Sequence, residues 1–360
     1  MKIRMAAAAA AGLMLLAGCG SDEPDGPDST GPSASQVGTD TDVTFTSGPL
    51  TLHGSLRRPD GAAGDVPAVL LLAGSGPTDR NGNSALLPGN IGTLAFLADE
   101  LARNGYASLR FDKLGTGATG VGDYTDEDIA NLGFAALIAE GADGLRFLAT
   151  QEGIDESRLG IVGHSEGALT ALAIATGKSG PTPPVTRLGL VAPQSERILD
   201  GLRRQINQQI DTAVAAGNLP QEEADALRGS VDQIIEQLRT DGTLPEDVPP
   251  VLQSAGLVPI NAKALASEDT FDPIQLAGEV PEGLPVLTSC STQDIQVRCE
   301  DVDRLDGALG QTRLQPVKLT DTDHVLKVVG EGPSTGAEYT EPLPFSPEFA
   351  GALGTWLTTP

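Results

Sequence analysis

The most restrictive feature of the chain is a pentapeptide, Gly163-His164-Ser165-Glu166-Gly167. It lies between an apolar run, Leu159-Gly160-Ile161-Val162, and a stretch rich in Ala and Leu that reads as helix. A strand that turns directly into a helix reverses course within a few residues. The turn forces unusual dihedrals on its central residue and presses the two arms together, so only small residues fit two positions either side. Ser165 is then held at a helix N-terminus, where the dipole favours developing negative charge. A serine flanked by glycines is common by chance, but in this strand–turn–helix setting it reads as a nucleophile.

The rest of the chain repeats that rhythm. Val43 to Ser47 and Leu50 to Arg57 form an opening hairpin around Ser47-Gly48-Pro49. Continuous apolar strands follow at Val66 to Ala73, Tyr106 to Asp112, Arg158 to Gly163, Leu188 to Ala192, Pro285 to Cys290 and Leu314 to Leu319. Helical periodicity falls between them at Ile91 to Arg103, Ile129 to Thr150, Gly167 to Thr176, Asp301 to Leu309 and Ser346 to Leu357. Strands without polar alternation are buried on both faces, so the pattern predicts an α/β fold: a mostly parallel eight-stranded sheet with helices on both faces. About 90 residues separate Ala192 from Pro285, far more than one crossover needs. Within them run two apolar stripes, Leu202, Ile206 and Ile210, then Leu227, Val231, Ile234, Ile235 and Leu238, with Pro220 placed to start the second helix. Residues 194–279 therefore read as a helical cap inserted between core segments 43–193 and 280–360. A dimerisation arm is the alternative. Entering at the carboxyl end of a strand, a cap would line an acyl pocket with Leu, Ile, Val and Ala.

A nucleophilic serine needs a base, and the chain has three histidines. His53 lies in the opening hairpin, and His164 is locked in the turn beside the serine. That leaves His324, in Thr320-Asp321-Thr322-Asp323-His324 just after the last strand. Asp294, beyond the strand ending at Cys290, is the candidate acid to fix the His324 tautomer and stabilise its imidazolium. Asp321 and Asp323 are too close in sequence to His324 to be first choices. An oxyanion hole needs two backbone N–H groups. Glu166 supplies one. Ser75 or Gly76, in the glycine-rich run Ala73 to Gly82, is the candidate for the other.

With these pieces in order, the chain resembles the α/β-hydrolase superfamily, in particular exported bacterial esterases and serine-aminopeptidase-like hydrolases. The residues that carry the resemblance are Gly74-Ser75-Gly76-Pro77-Thr78-Asp79-Arg80, Arg110-Phe111-Asp112-Lys113-Leu114-Gly115-Thr116-Gly117, the pentapeptide, and the pair Asp294 and His324. It spans about Val43 to Leu357. The resemblance implies a serine hydrolase with a helical cap. The chain departs from it at Ala73, where many relatives have His.

The N-terminus reads as an address. Lys2 and Arg4 precede a short apolar run, Ala6 to Leu16, which is too short to cross a bilayer and fits a signal peptide over residues 1–18. Leu16-Ala17-Gly18-Cys19 resembles the lipobox of bacterial lipoproteins, which implies cleavage and lipid attachment at Cys19 on the outer side of the cell membrane. Residues 19–42, rich in Asp, Pro, Gly, Ser and Thr, read as a flexible tether. An oxidising exterior favours pairing of Cys290 with Cys299, which bracket Asp294.

Composition excludes other classes. Lys and Arg total 23 against 49 Asp and Glu, a net charge of −26 that repels nucleic acid. Three Cys and three His cannot furnish a multi-zinc or iron–sulfur protein, so neither metal nor cofactor is expected. Gly115-Thr116-Gly117-Ala118-Thr119-Gly120 imitates a dinucleotide-binding loop, but polar residues follow it rather than an apolar helix. Asp79-Arg80-Asn81-Gly82-Asn83 imitates a calcium loop without the Glu such a loop ends on. The expected partner is a small neutral ester, of small or medium acyl length. A serine peptidase is the second reading, and a catalytically silent ligand-binding lipoprotein the third. The sequence leaves the oligomeric state open.

Overall fold

The computed structural model describes residues 37–330 and 334–359. The signal peptide, Cys19 and most of the tether lie outside the described residues. Two hairpin strands, β1 (Thr39–Ser47) and β2 (Leu50–Arg58), open the fold. They are followed by β3 (Val66–Leu72), α1 (Thr93–Arg103), β4 (Ala107–Phe111), α2 (Asp126–Asn131), α3 (Ala135–Ala149) and β5 (Ile154–His164). Next come α4 (Glu166–Ala175) and β6 (Val185–Val191), then the insertion helices α5 (Ile198–Ala215), α6 (Gln221–Asp241), α7 (Pro250–Ser254), α8 (Ala262–Glu268) and α9 (Pro273–Glu279). The chain closes with β7 (Pro285–Ser291), α10 (Cys299–Ala308), β8 (Arg313–Leu319) and α11 (Pro347–Thr358).

The strands form one eight-stranded sheet in the order β1-β2-β4-β3-β5-β6-β7-β8. β1 and β2 pair antiparallel, as do β2 and β4, and every later pairing is parallel. Successive strand residues point to opposite faces, and both faces are covered. Leu70 and Leu72 join Ile138, Leu145 and Leu169 under α3 and α4, whereas Val69 and Leu71 join Leu94, Leu97, Leu353 and Trp356 under α1 and α11. That two-sided burial is why the central strands are unbroken apolar runs.

Three boundaries differ from expectation. β1 begins at Thr39, not Val43, so residues 39–42 belong to the sheet rather than to a tether. Its acids are anchored: Asp40 takes both Arg57 (2.7 Å) and Arg110 (2.6 Å). Those guanidiniums overcome the cost of burial and hold the Asp40 carboxyl well below the usual range. The helix expected over Ile129 to Thr150 is two helices, broken at Gly133. A side chain there would strike Ser267 Oγ, 2.6 Å from the added Cβ, while that hydroxyl accepts the Phe134 N–H at 2.9 Å. Finally, α9 packs on the core: Leu276 and Ala277 belong to the cluster under the sheet.

The remaining insertion has its own apolar centre, made by Leu202, Ile206, Ile210, Val231, Ile234, Ile235, Leu238, Leu252 and Leu265. Both stripes read from the sequence close on each other here. Asp269, buried at the foot of the insertion, accepts from Arg197 (2.7 Å), Arg239 (2.9 Å) and the Leu199 N–H (3.0 Å), tying α5, α6 and the end of α8 together. Among the described residues no helix is long and apolar enough to cross a membrane.

Candidate functional site

The site lies at the carboxyl ends of the parallel strands. β5 delivers Ser165 in the left-handed region, at φ 56°, directly before α4. Such a conformation costs a non-glycine residue on the order of 1–3 kcal/mol and persists only where its surroundings enforce it. They do so here. The Ser165 N–H donates to the Val191 carbonyl at 2.9 Å, and its own carbonyl accepts the Gln194 N–H at 3.2 Å. The flanking glycines are obligatory: a Cβ on Gly163 would lie 2.0 Å from the Gly167 carbonyl oxygen, and one on Gly167 would lie 2.3 Å from that of Leu72.

β8 leads to His324, whose Nδ1 is 2.8 Å from Asp294 Oδ2. Both side chains are buried. The other carboxylate oxygen of Asp294 accepts the Gln296 N–H (2.7 Å) and the Val297 N–H (3.0 Å), so the acid is fixed from both sides. Because the carboxylate only accepts, Nδ1 carries the proton and leaves Nε2 as the basic nitrogen. Burial alone would lower the pKa of His324, but the charge and hydrogen bond of Asp294, helped by Asp323, prevail and raise it above the ordinary histidine value. The loop holding His324 is pinned as well: Asp323 Oδ1 accepts the N–H groups of Val325 (3.0 Å) and Lys327 (2.8 Å).

Cys290 and Cys299 form a disulfide across the Asp294 loop, with Cα atoms 5.3 Å apart. Closing so short a loop is worth about 2–3 kcal/mol in the chain-entropy account.

His164 is no competitor for the base. Its ring is buried and Nε2 lies 2.9 Å from the His324 carbonyl, which makes Nε2 a donor. Burial, with the nearby His324 ring, pushes its pKa down to about 3, so it stays neutral. Its contribution is to hold the His324 backbone.

Glu166 follows Ser165 at the start of α4, and Ser75 comes from the loop after β3. Gly74 approaches so closely that a Cβ there would be 3.2 Å from Ser165 Cβ. The Gly74 carbonyl accepts from Lys113 Nζ at 2.6 Å, and in a trans peptide that turns the Ser75 N–H the opposite way. Ser75 borders the cavity at Ser165, whereas buried Gly76 is set back from it, its carbonyl taking the Thr78 N–H at 2.8 Å. Among the described residues neither the Ser75 nor the Glu166 N–H has an acceptor. Sequence reasoning missed Lys113, which also pairs with the buried Glu166 carboxylate at 3.4 Å. It missed Glu268 of α8 too, where burial and then the charge of Glu166 push the pKa well above the usual range. A cation two residues after an apolar strand was a readable signal for the first. Nothing local marks the second.

Both imitation motifs are structural. Gly117 lies against the Asp112 carboxylate, where a Cβ would be 2.2 Å away, and that carboxylate takes Arg80 at 2.8 Å. Asp79 Oδ1 accepts the N–H groups of Asn81 (2.8 Å) and Asn83 (2.9 Å), the geometry of a hydrogen-bonded turn.

A cavity of about 370 Å³ opens over Ser165 and His324. Its walls correct one expectation. Most of the apolar stripe of α5 is turned into the insertion's own centre, whereas Leu202, with Ile198, borders a smaller adjoining pocket that also reaches Ser165. The larger cavity receives Gln205, Gln208, Gln209 and Thr212. These residues follow i, i+3, i+4, i+7 spacing, one face of a helix. The pattern was present in the sequence, but a polar stripe reads as solvent-facing.

No protein-family model matches the chain, and no curated protein does either. Solved structures do match. A mutant of the esterase rPPE aligns at TM-score 0.53 with 17% identity, over 90% of this chain and 82% of the other. DcsB in complex with a substrate analogue aligns at 0.51 with 15% identity, over 89% and 98%. An esterase of Pyrococcus furiosus, Pf2001, aligns at 0.50 with 16% identity, over 89% and 90%. Taken with the strand order and the antiparallel β2, these likenesses show that the chain has the α/β-hydrolase fold.

Proposed function

We propose that the protein is a serine hydrolase that cleaves neutral carboxylic esters through an acyl-enzyme. One observation carries the reading: Ser165 sits strained at the start of α4 and shares a cavity with His324, whose Nδ1 is held by buried Asp294. In the first step Ser165 Oγ bonds to the acyl carbon while its proton passes to His324 Nε2. The carbonyl π pair moves onto oxygen, where the Ser75 and Glu166 N–H groups receive it. Collapse breaks the carbon–oxygen bond to the alcohol, which leaves with the proton from Nε2. Water then repeats the sequence on the acyl-enzyme, releasing the acid and restoring Ser165. Asp294 keeps the imidazole in its productive tautomer and stabilises the imidazolium.

A peptidase using the same residues finds less support. An aminopeptidase must hold a substrate ammonium, and among the described residues no Asp or Glu lines the 370 Å³ cavity. Glu196 and Asp301, which border the smaller pocket that also reaches Ser165, are already paired with Arg204 and Arg298. Treatment with a fluorophosphonate should add one phosphonyl group, located on Ser165 by peptide mapping, and the protein should turn over p-nitrophenyl esters faster than aminoacyl anilides. An unlabelled, folded protein would sink the proposal.

We infer further that the protein is exported and anchored by lipid at Cys19, supported by the lipobox-like run before it. Palmitate supplied to expressing bacteria should label the protein, and Cys19→Ala should abolish that labelling. Equal labelling of the variant would refute the anchor.

A further inference from the structure

The cavity over Ser165 is chemically unusual for a site that takes a plain acyl ester. Lined by neither Asp, Glu, Lys nor Arg among the described residues, it offers an anionic or cationic substrate no counter-charge. Nor is its lining carbon alone. Exposed Gln208 and half-buried Gln209 project from α5, and among the described residues their side-chain amides have no hydrogen-bond partner, although Gln205 on the same face donates to the Gln296 carbonyl at 3.3 Å. Each amide both donates and accepts. An alkyl chain covering them would strip their water and return nothing, a penalty that disfavours such a ligand. Leu87, Ile91, Ile295 and Val325 supply carbon surface in the same lining.

A lining that mixes neutral donors and acceptors with carbon suits a ligand with hydroxyls on its edge and C–H groups on its face. We infer that the substrate is an ester of a neutral polyhydroxylated, sugar-like alcohol, bound with its hydroxyls against Gln208 and Gln209. This rests on the serine-ester reading above and narrows its substrate class. In this cavity a phosphorylated ligand would meet no cation and a free amino terminus no carboxylate. The charges of the smaller pocket beside it, Arg197, Arg204, Glu196 and Asp301, are already engaged in ion pairs.

The test compares substrates with one acyl group, acetyl, on the full chain. An O-acetylated methyl glycoside should exceed n-butyl acetate in kcat/KM by tenfold or more, because sites built to pair hydroxyls reject analogues that lack them. The double variant Gln208→Leu/Gln209→Leu should shrink that ratio by about tenfold, with fluorophosphonate labelling of Ser165 reporting that the variant is folded. If the protein labels and hydrolyses butyl acetate as well as the glycoside, the substrate class is wrong and the serine-esterase reading survives. Faster cleavage of an aminoacyl anilide than of either ester would overturn the inference in favour of a peptide substrate. If a folded protein neither labels nor turns over any ester, the underlying reading fails first.

Discussion

Replacing Ser165 by Ala should lower kcat by on the order of 10⁴- to 10⁶-fold and abolish fluorophosphonate labelling, while the melting temperature barely moves. The size follows from the role: without Oγ no acyl-enzyme forms, and what remains is binding and the two N–H donors acting on attack by water. Stability is spared for two reasons. Among the described residues Ser165 Oγ has no hydrogen-bond partner, so its loss orphans nothing, and Ala meets the same left-handed backbone as Ser. Ester hydrolysis measured beside a thermal melt checks both halves. A variant retaining a tenth of the parent's kcat would exclude Ser165 as the nucleophile.

Replacing Asp294 by Asn should cost on the order of 10⁴ in kcat and move the pH profile. In the parent, only neutral His324 accepts the serine proton, so kcat/KM falls as pH drops through the His324 pKa. That limb should lie above pH 6.5, because the charge and hydrogen bond of Asp294 outweigh burial and raise the pKa. In Asp294→Asn the carboxylate charge is gone and burial is opposed by Asp323 alone, so the limb should shift to lower pH. The amide can also present its NH₂ to Nδ1 and select the unproductive tautomer, which accounts for most of the rate loss. A kcat/KM profile of the variant with its limb unmoved would show that Asp294 does not set the state of His324.

How much of this was legible depended on what each residue answers to. The central strands were, because burial on both faces leaves a bare apolar run that nothing else imitates. So was the turn at Ser165: Gly163 answers to Gly167 four residues on, and although Gly167 answers to distant Leu72, the strand–turn–helix pattern around them is local. The break at Gly133 was not: it answers to Ser267, 134 positions later in the chain. β1 was cut short because Asp40 and Asp42 look like linker until Arg57, Arg80 and Arg110 are seen to meet them. Asp294 and His324 could be chosen by order along the chain, yet their separation could not. The cavity face of α5 was overlooked because an apolar stripe announces itself, whereas amides lining a cavity and amides facing solvent have the same spelling.

Helix α5 holds the insertion together with one face and meets the cavity with another, and the two faces share no position. Substitutions at 205, 208, 209 and 212 therefore leave untouched the side chains on which the insertion's folding depends. Descendants of such a chain are free to drift in substrate preference without first gaining stability to absorb the change. Laboratory selection for new esters has the same four positions as its natural starting library.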